Sequence, residues 1–326
     1  MRDERLVDVL GKPYYAETIG LAPDDEGEVL ATLVSRKTRR KANGKAVLHV
    51  HGFCDYFFQT PAADYWTDRG YDFYALDLRK YGRSLLPHQT PNFVMDATAY
   101  YAELDQAYAR VTERDRHDHV ILSAHSTGGL VTPLWVHDRG ARIAGMVLNS
   151  PWLDLQGSLL LRTAGTKAID QVGARRPYQA IPRNVSGLYT RSLHKDHGGE
   201  WDFNLEWKPV ESFPVYAGWL RAIRRSHARL HRGVDIGAPL LMLTSGVSGH
   251  PKEWDDSVTS TDIVLDVEQM WRWAPKLSKH VTMVRIDGAL HDVTMSAESV
   301  RKAAFDQIDR WLDAYIEPGK VSGAGS

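Results

Sequence analysis

The stretch Val120-Ile121-Leu122-Ser123-Ala124-His125-Ser126-Thr127-Gly128-Gly129 constrains the fold more than any other part of the chain. It reads as an apolar strand that breaks into a serine backed by glycines, followed by a helix-like run from Leu130 to His137. A serine at the tip of such a strand-to-helix turn is crowded from both sides, so only small neighbours fit; Ala124 and Gly128 supply them. Ala124 stands where the usual Gly-x-Ser-x-Gly pattern has its first glycine. Taken alone, the same residues also suit Ser126 as an ordinary helix N-cap, since serine is favoured there.

Further segments, each following a predicted strand, weigh against that plain reading. Ala46 to Val50 is strand-like and leads into His51-Gly52-Phe53. Acyl transfer from a serine places negative charge on an oxygen, which preorganised amides must meet; the N–H groups of Phe53 and Thr127 are the expected donors. Gly52 lets the backbone approach closely, and His51 is expected to brace the loop. His49 and His51 form no metal site by this reading, because no carboxylate or cysteine cluster accompanies them at ligand spacing. Phe73 to Leu76 is a second short strand, after which Asp77 and Arg79 are expected to cross-brace their loop, with Gly82 at a tight bend.

His291 follows the strand Val281 to Ile286 and is the expected general base. Val300, Ala304, Ile308, Trp311 and Tyr315 recur at helical spacing, so a final amphipathic helix should pin its loop to the core. A carboxylate must orient the imidazole and should follow the strand Pro239 to Thr244. Asp262 is the choice, at the loop end before an apolar-periodic stretch, with one helix and one strand between it and His291. Asp255, Asp256 and Asp154 remain alternatives, while Asp266 falls in a first helical turn where the macrodipole accounts for it.

Together His51-Gly52-Phe53, Asp77-Leu78-Arg79 with Tyr81-Gly82-Arg83-Ser84, His125-Ser126-Thr127-Gly128-Gly129 and Gly288-Ala289-Leu290-His291 resemble the α/β-hydrolase superfamily, in its monoacylglycerol lipase and lysophospholipase-like branch. A weaker resemblance is to bacterial monoalkyl phthalate hydrolases. The resemblance covers about residues 12 to 316 and has the chain order Ser, acid, His of α/β-hydrolases. It implies a mostly parallel central sheet flanked by helices, a Ser126-His291-Asp262 triad, an acyl-enzyme and hydrolysis of small to medium monoesters. Lactone or peptide hydrolysis by the same triad, or a non-catalytic binding module, are the competing classes. Departures from the branch are Ala124, the 15-residue loop Gly246 to Ser260 and the insertion described next.

Residues 1–151 and 236–317 read as the two parts of one catalytic body, 152–235 as an inserted cap and 318–326 as a disordered tail. The strands alternate with helices until Trp152, after which turn-rich aromatic sequence runs to about Asp235. Trp152, Trp201, Trp207 and Leu290 are the candidates for lining a substrate pocket, though most cap aromatics should simply fix the cap to the body. An arginine among Arg162, Arg175, Arg176, Arg183 and Arg191 could hold a substrate carboxylate if it faced that pocket.

Hydrophobic residues make up 43% of the 326 positions and charged ones 25%, with a net charge of −1. That suits a large core and gives no field for nucleic acid; the basic cluster Arg36, Lys37, Arg39, Arg40 and Lys41 reads as a solvated turn. The single cysteine, Cys54, rules out an internal disulfide, the first residues are too charged for a signal peptide, and no apolar run approaches membrane-spanning length. A cytoplasmic enzyme without metal or cofactor, acting on a small-molecule ester, is expected; oligomeric state is open.

Overall fold

The computed structural model describes residues 5–41, 43–155, 169–182 and 185–318. Nine strands form one sheet: β1 (Leu6–Val7), β2 (Tyr15–Asp24), β3 (Gly27–Arg36), β4 (Lys45–Val50), β5 (Asp72–Asp77), β6 (His119–His125), β7 (Gly145–Asn149), β8 (Leu240–Ser245) and β9 (Val281–Ile286). Their order is β1-β2-β3-β5-β4-β6-β7-β8-β9. The pairs β1–β2, β2–β3 and β3–β5 are antiparallel, and every pair from β5 to β9 is parallel. The described helices are α1 (Thr60–Asp68), α2 (Tyr101–Ala109), α3 (Gly128–Arg139), α4 (Leu188–Leu193), α5 (Ala217–Leu230), α6 (Val267–Trp273) and α7 (Glu298–Trp311).

Side-chain alternation along the parallel strands builds two cores at once. Leu48, Leu122, Leu148 and Met242 face one side and join residues of α2, α3 and α5. Val47, Ile121, Val147 and Leu241 face the other and join α1 and α7 through Tyr65, Trp66, Ala304, Ile308 and Trp311. Because both faces are covered, these strands carry uninterrupted apolar runs rather than a polar alternation. The last helix, α7, stands where the sequence places it. The two-residue β1 does not announce itself in the sequence, being too short for any periodicity.

The helix α5 lies in the interval expected to hold only cap. Its buried stripe of Trp219, Ala222, Ile223, Ser226, His227 and Leu230 has helical spacing, but alanine, serine and histidine dilute its apolar signal. Trp219, Ile223 and Leu230 share a core with Leu130, Val131 and Leu134 of α3. Residues 156–168, 183, 184 and 319–326, including Arg162 and Arg183 and all but the first residue of the tail, lie outside the described residues. Among the described residues no helix is long and apolar enough to cross a membrane.

His227 anchors α5 by donating from Nε2 to the carbonyl of Trp152 at 2.8 Å. Burial keeps this imidazole neutral and pushes its pKa down to about 3, and does the same to His49, down to about 4. The unfolded chain takes up these protons near pH 6.5, so the stability they contribute is present above that pH and is lost as pH falls toward 4, at about 1.4 kcal/mol per unit for each group. Thermal unfolding from pH 7 to pH 4.5 should show a falling Tm, with a shallower slope in His227→Gln.

Candidate active site

The register of the parallel strands brings four loops to one rim. Val50 pairs with Ala124, His125 with Asn149 and Ser245 with Ile286, so the chain leaves β4, β6, β8 and β9 at their carboxyl ends side by side. Ser126, the first residue after β6, has φ +51°, a left-handed conformation that costs a non-glycine residue about 1–3 kcal/mol. Two backbone hydrogen bonds hold it there: its amide donates to Asn149 at 3.1 Å and its carbonyl accepts from Trp152 at 2.9 Å. A β-carbon on Gly128 would lie 2.5 Å from the His51 carbonyl oxygen and 2.6 Å from that of Val50, and one on Gly52 would lie 2.9 Å from the Ser126 Cβ. The loop after β4 thus rests directly on the serine turn. Gly128→Ala should destabilise the protein by about 1–3 kcal/mol, because both clashing atoms are backbone; the urea unfolding midpoint measures it.

Asp262 and His291 come together from separate loops. His291 Nδ1 lies 2.8 Å from Asp262 Oδ2; a carboxylate oxygen can only accept, so the proton sits on Nδ1 and leaves Nε2 as the basic nitrogen. The other oxygen of Asp262 accepts from the amides of Val264 and Leu265, each at 2.8 Å. Both residues are buried, Asp262 at 0% exposure and His291 at 2%. The other carboxylates are engaged elsewhere: Asp154 with Arg224 at 2.8 Å, Asp255 with the Ser257 amide, and Asp266 with the Glu268 amide as the N-cap of α6. Asp256 is exposed.

Ser126 and His291 line one cavity of about 420 Å³, together with Phe53, Thr127 and Trp152. No hydrogen bond joins the Ser126 and His291 side chains here; nucleophile–base contacts commonly tighten only around substrate. Thr127 directly precedes α3, so its amide belongs to the positive end of that helix. Of the other pocket candidates, Trp201 and Trp207 line a different cavity of about 640 Å³ with Tyr56, Phe58 and Phe203. Leu290 packs in the cluster that includes Trp201, whose Nε1 donates to the Met295 carbonyl at 2.8 Å. Trp201 thus meets the loop after β9, Trp207 packs on Tyr56 with ring centroids 5.1 Å apart, and none of the three residues lines the cavity of Ser126. The same holds for the arginines: none of Arg175, Arg176 and Arg191 lines the serine's cavity.

His51 braces two loops, accepting from the Leu78 amide at Nε2 (3.0 Å) and donating from Nδ1 to the Gly52 carbonyl (2.7 Å). Asp77 and Arg79 do not pair as expected. Asp77 takes Arg83 at 2.8 Å, whereas Arg79 turns to Glu103 at 2.6 Å. Glu103 is fully buried and requires a cation, which the long Arg79 side chain supplies, while the turn at Gly82 returns Arg83 to Asp77.

A group of buried charges at the wall of the cavity is not singled out by the sequence. Asp55, His125 and Asp292 each offer an atom within 4.8 Å of the others, and Lys208 Nζ lies 3.0 Å from Asp55 Oδ1. Each of the three is adjacent to, or two residues from, a candidate site residue (Phe53, Ser126, His291), which is the signal that would have found them. Burial pushes the Asp55 carboxyl up, but Lys208 and His125 outweigh it and hold it well below the ordinary carboxylate range. Although the donor set could suit a cation, the Lys208 ammonium already occupies Asp55. Asp292 Oδ1 already accepts from Asn149 Nδ2 at 2.6 Å and from Thr294.

The fold recurs among solved structures. A soluble variant of monoglyceride lipase from Saccharomyces cerevisiae, in complex with a substrate analog, superposes with a TM-score of 0.65 at 13% identity, over 91% of this chain and 96% of that one. A carboxyl esterase from Bacillus coagulans gives 0.68 at 12% identity, over 92% and 99%. The monoacylglycerol lipase of Paleococcus ferrophilus gives 0.60 at 16% identity, over 91% and 98%. At these identities the likeness establishes the α/β-hydrolase fold alone. No curated protein sequence matches the chain. The family described as Hydrolase_4, serine aminopeptidase S33, matches residues 41–247, more than half of the sequence and including the turn that carries Ser126. With the sheet order, the serine turn and that match in agreement, the chain is a hydrolase and belongs to this family.

Proposed function

We propose that the protein hydrolyses carboxylic esters through Ser126, His291 and Asp262 by way of an acyl-enzyme. The observation that carries this reading is the 2.8 Å contact between His291 Nδ1 and Asp262 Oδ2 at the edge of the cavity that Ser126 lines. Nε2 takes the hydroxyl proton as Ser126 Oγ attacks the ester carbonyl. The amides of Phe53 and Thr127 meet the oxyanion, the imidazolium returns its proton to the departing alcohol, and water then repeats the sequence to release the acid. Asp262 holds the imidazole in the productive tautomer throughout.

The lining favours a monoester with an apolar part. Trp152, Val215, Trp219, Ile263, Val264 and Leu265 supply an apolar wall, and about 420 Å³ lies within the range of small-molecule pockets. Monoacylglycerol-like and monoalkyl phthalate-like esters are the proposed classes, with Trp152, Val185 to Thr190, Lys208, Val210, Ser212, Val215 and Trp219 of the proposed cap among the residues that line the pocket. A free peptide amino terminus would need a carboxylate partner. Among the described lining residues Asp55 is the only carboxylate, and it already faces Lys208 at 3.0 Å and His125 at 3.5 Å. That supports esters over aminopeptidase substrates.

An alkyl fluorophosphonate should label the protein, and a panel of 4-nitrophenyl esters, monoglycerides, phthalate monoesters, lactones and aminoacyl amides should show turnover confined to, or strongest for, the esters. Absence of both labelling and ester turnover would leave a binding module as the better reading.

A further inference from the structure

Three loops of the active site each carry one extra buried group, and the fold gathers those groups into one cluster. Asp55 follows Phe53 by two residues, His125 precedes Ser126 and Asp292 follows His291; their exposures are 2%, 4% and 2%. His125 Nδ1 lies 3.5 Å from Asp55 Oδ2, and the imidazole packs on the His291 ring with centroids 4.8 Å apart. Beyond that long contact with Asp55, neither ring nitrogen of His125 has a hydrogen-bond partner.

The charge count singles out this imidazole. Two carboxylates and one ammonium, Lys208, leave one negative charge uncompensated in a site shielded from water, where an unpaired charge is costly. The remaining groups nearby do not compensate it. His51 accepts an amide hydrogen bond at Nε2 and is therefore neutral. His49 bonds Ser123 Oγ at 3.2 Å, and burial lowers its pKa to about 4. His291 is paired with Asp262, and Tyr189 offers an uncharged hydroxyl that accepts from the Asp292 amide at 3.1 Å. For His125, burial opposes a charge, yet Asp292 and Asp55 outweigh it and raise the affinity of the ring for a proton.

We propose that His125 is a positioning residue: as an imidazolium wedged between Asp55 and Asp292, it locks the loop bearing Phe53 and the loop bearing His291 onto the turn that presents Ser126. The cation belongs to the chain itself, which is why a cluster with the donor set of a metal site holds an ammonium and an imidazolium instead. Charge attraction without directional hydrogen bonds suffices here, because packing against His291 fixes the ring. Loss of the charge leaves the base and the oxyanion donor free to shift relative to the nucleophile, and misplacement by about 1 Å costs on the order of 10^2 in rate.

The inference rests on the triad reading above, and the test separates the two. In the full-length protein labelled at histidine, NMR titration of the 14 imidazoles should show one that keeps its proton to higher pH than the rest. That signal should vanish in His125→Gln and titrate at lower pH in Asp55→Asn, where one carboxylate no longer holds it. His125→Gln should lower kcat by about 10- to 100-fold with little change in KM, and Asp55→Asn should move the alkaline limb of the kcat profile to lower pH. A purely structural role would lower Tm while leaving kcat per folded molecule and the pH profile unchanged, and would overturn the proposal. So would a titration in which no imidazole stays protonated beyond the ordinary histidine range, a result readable on the unmutated protein even if His125→Gln fails to fold. Unmutated protein that turns over no ester would instead defeat the triad reading.

Discussion

Ser126→Ala is expected to lower kcat for ester hydrolysis by about 10^6, to abolish fluorophosphonate labelling, and to leave the fold intact. The size follows from the proposed division of labour: without the hydroxyl the proposed acyl-enzyme could not form, and only the residual contribution of oxyanion donors and binding would remain. Retention of the fold follows from the local structure. The bonds that hold residue 126, to the Asn149 carbonyl and from the Trp152 amide, are made by its backbone, and alanine meets the same left-handed φ of +51° at a cost similar to that of serine. His291→Ala should lose about as much, and the double variant no more than either single one, because the two act as a unit. Additive losses, or turnover surviving in Ser126→Ala, would show that this serine is not the nucleophile. The thermal midpoint recorded alongside separates a dead site from an unfolded chain.

How far the sequence reaches depends on whether a feature is local. The strands β4, β5, β6 and β8 are visible because helices cover both faces of the sheet, which leaves uninterrupted apolar runs ending at the residues that begin the loops. The candidates Ser126, Phe53 and His291 are singled out by their positions beyond such strands. Asp262 is harder, since the long loop from Gly246 offers several carboxylates, and the structure separates them by what else each one binds. Pairings between distant segments are not written locally. Nothing in Asp77-Leu78-Arg79 reveals that Glu103, buried in α2, competes for Arg79. Composition marks Trp201 and Trp207 as residues that will be buried without saying against what, and they go to a neighbouring cavity. The cluster of Asp55, His125 and Asp292 is the extreme case: each residue adjoins a recognisable one, yet the three meet only because β4, β6 and β9 end on the same rim.

Asp262→Asn is expected to lower kcat by about 10^4 with a small change in KM and in thermal stability. The amide is nearly isosteric, and its oxygen can still accept from the amides of Val264 and Leu265, so the loop should keep its shape. What changes is the atom facing His291. Where Oδ2 accepts the Nδ1 proton at 2.8 Å, an NH2 group donates, which forces Nδ1 to become the acceptor and moves the ring proton to Nε2. In that tautomer the nitrogen at the cavity already carries a proton and cannot take another from Ser126. Nothing remains to stabilise an imidazolium in the transition state either. Asp154→Asn supplies the contrast: it breaks the ion pair with Arg224 and should lower Tm while leaving kcat within about 10-fold, since Asp154 does not touch the imidazole. Equal losses of kcat in the two variants would remove the basis for assigning the acid to Asp262, because only one of them alters a group bonded to His291.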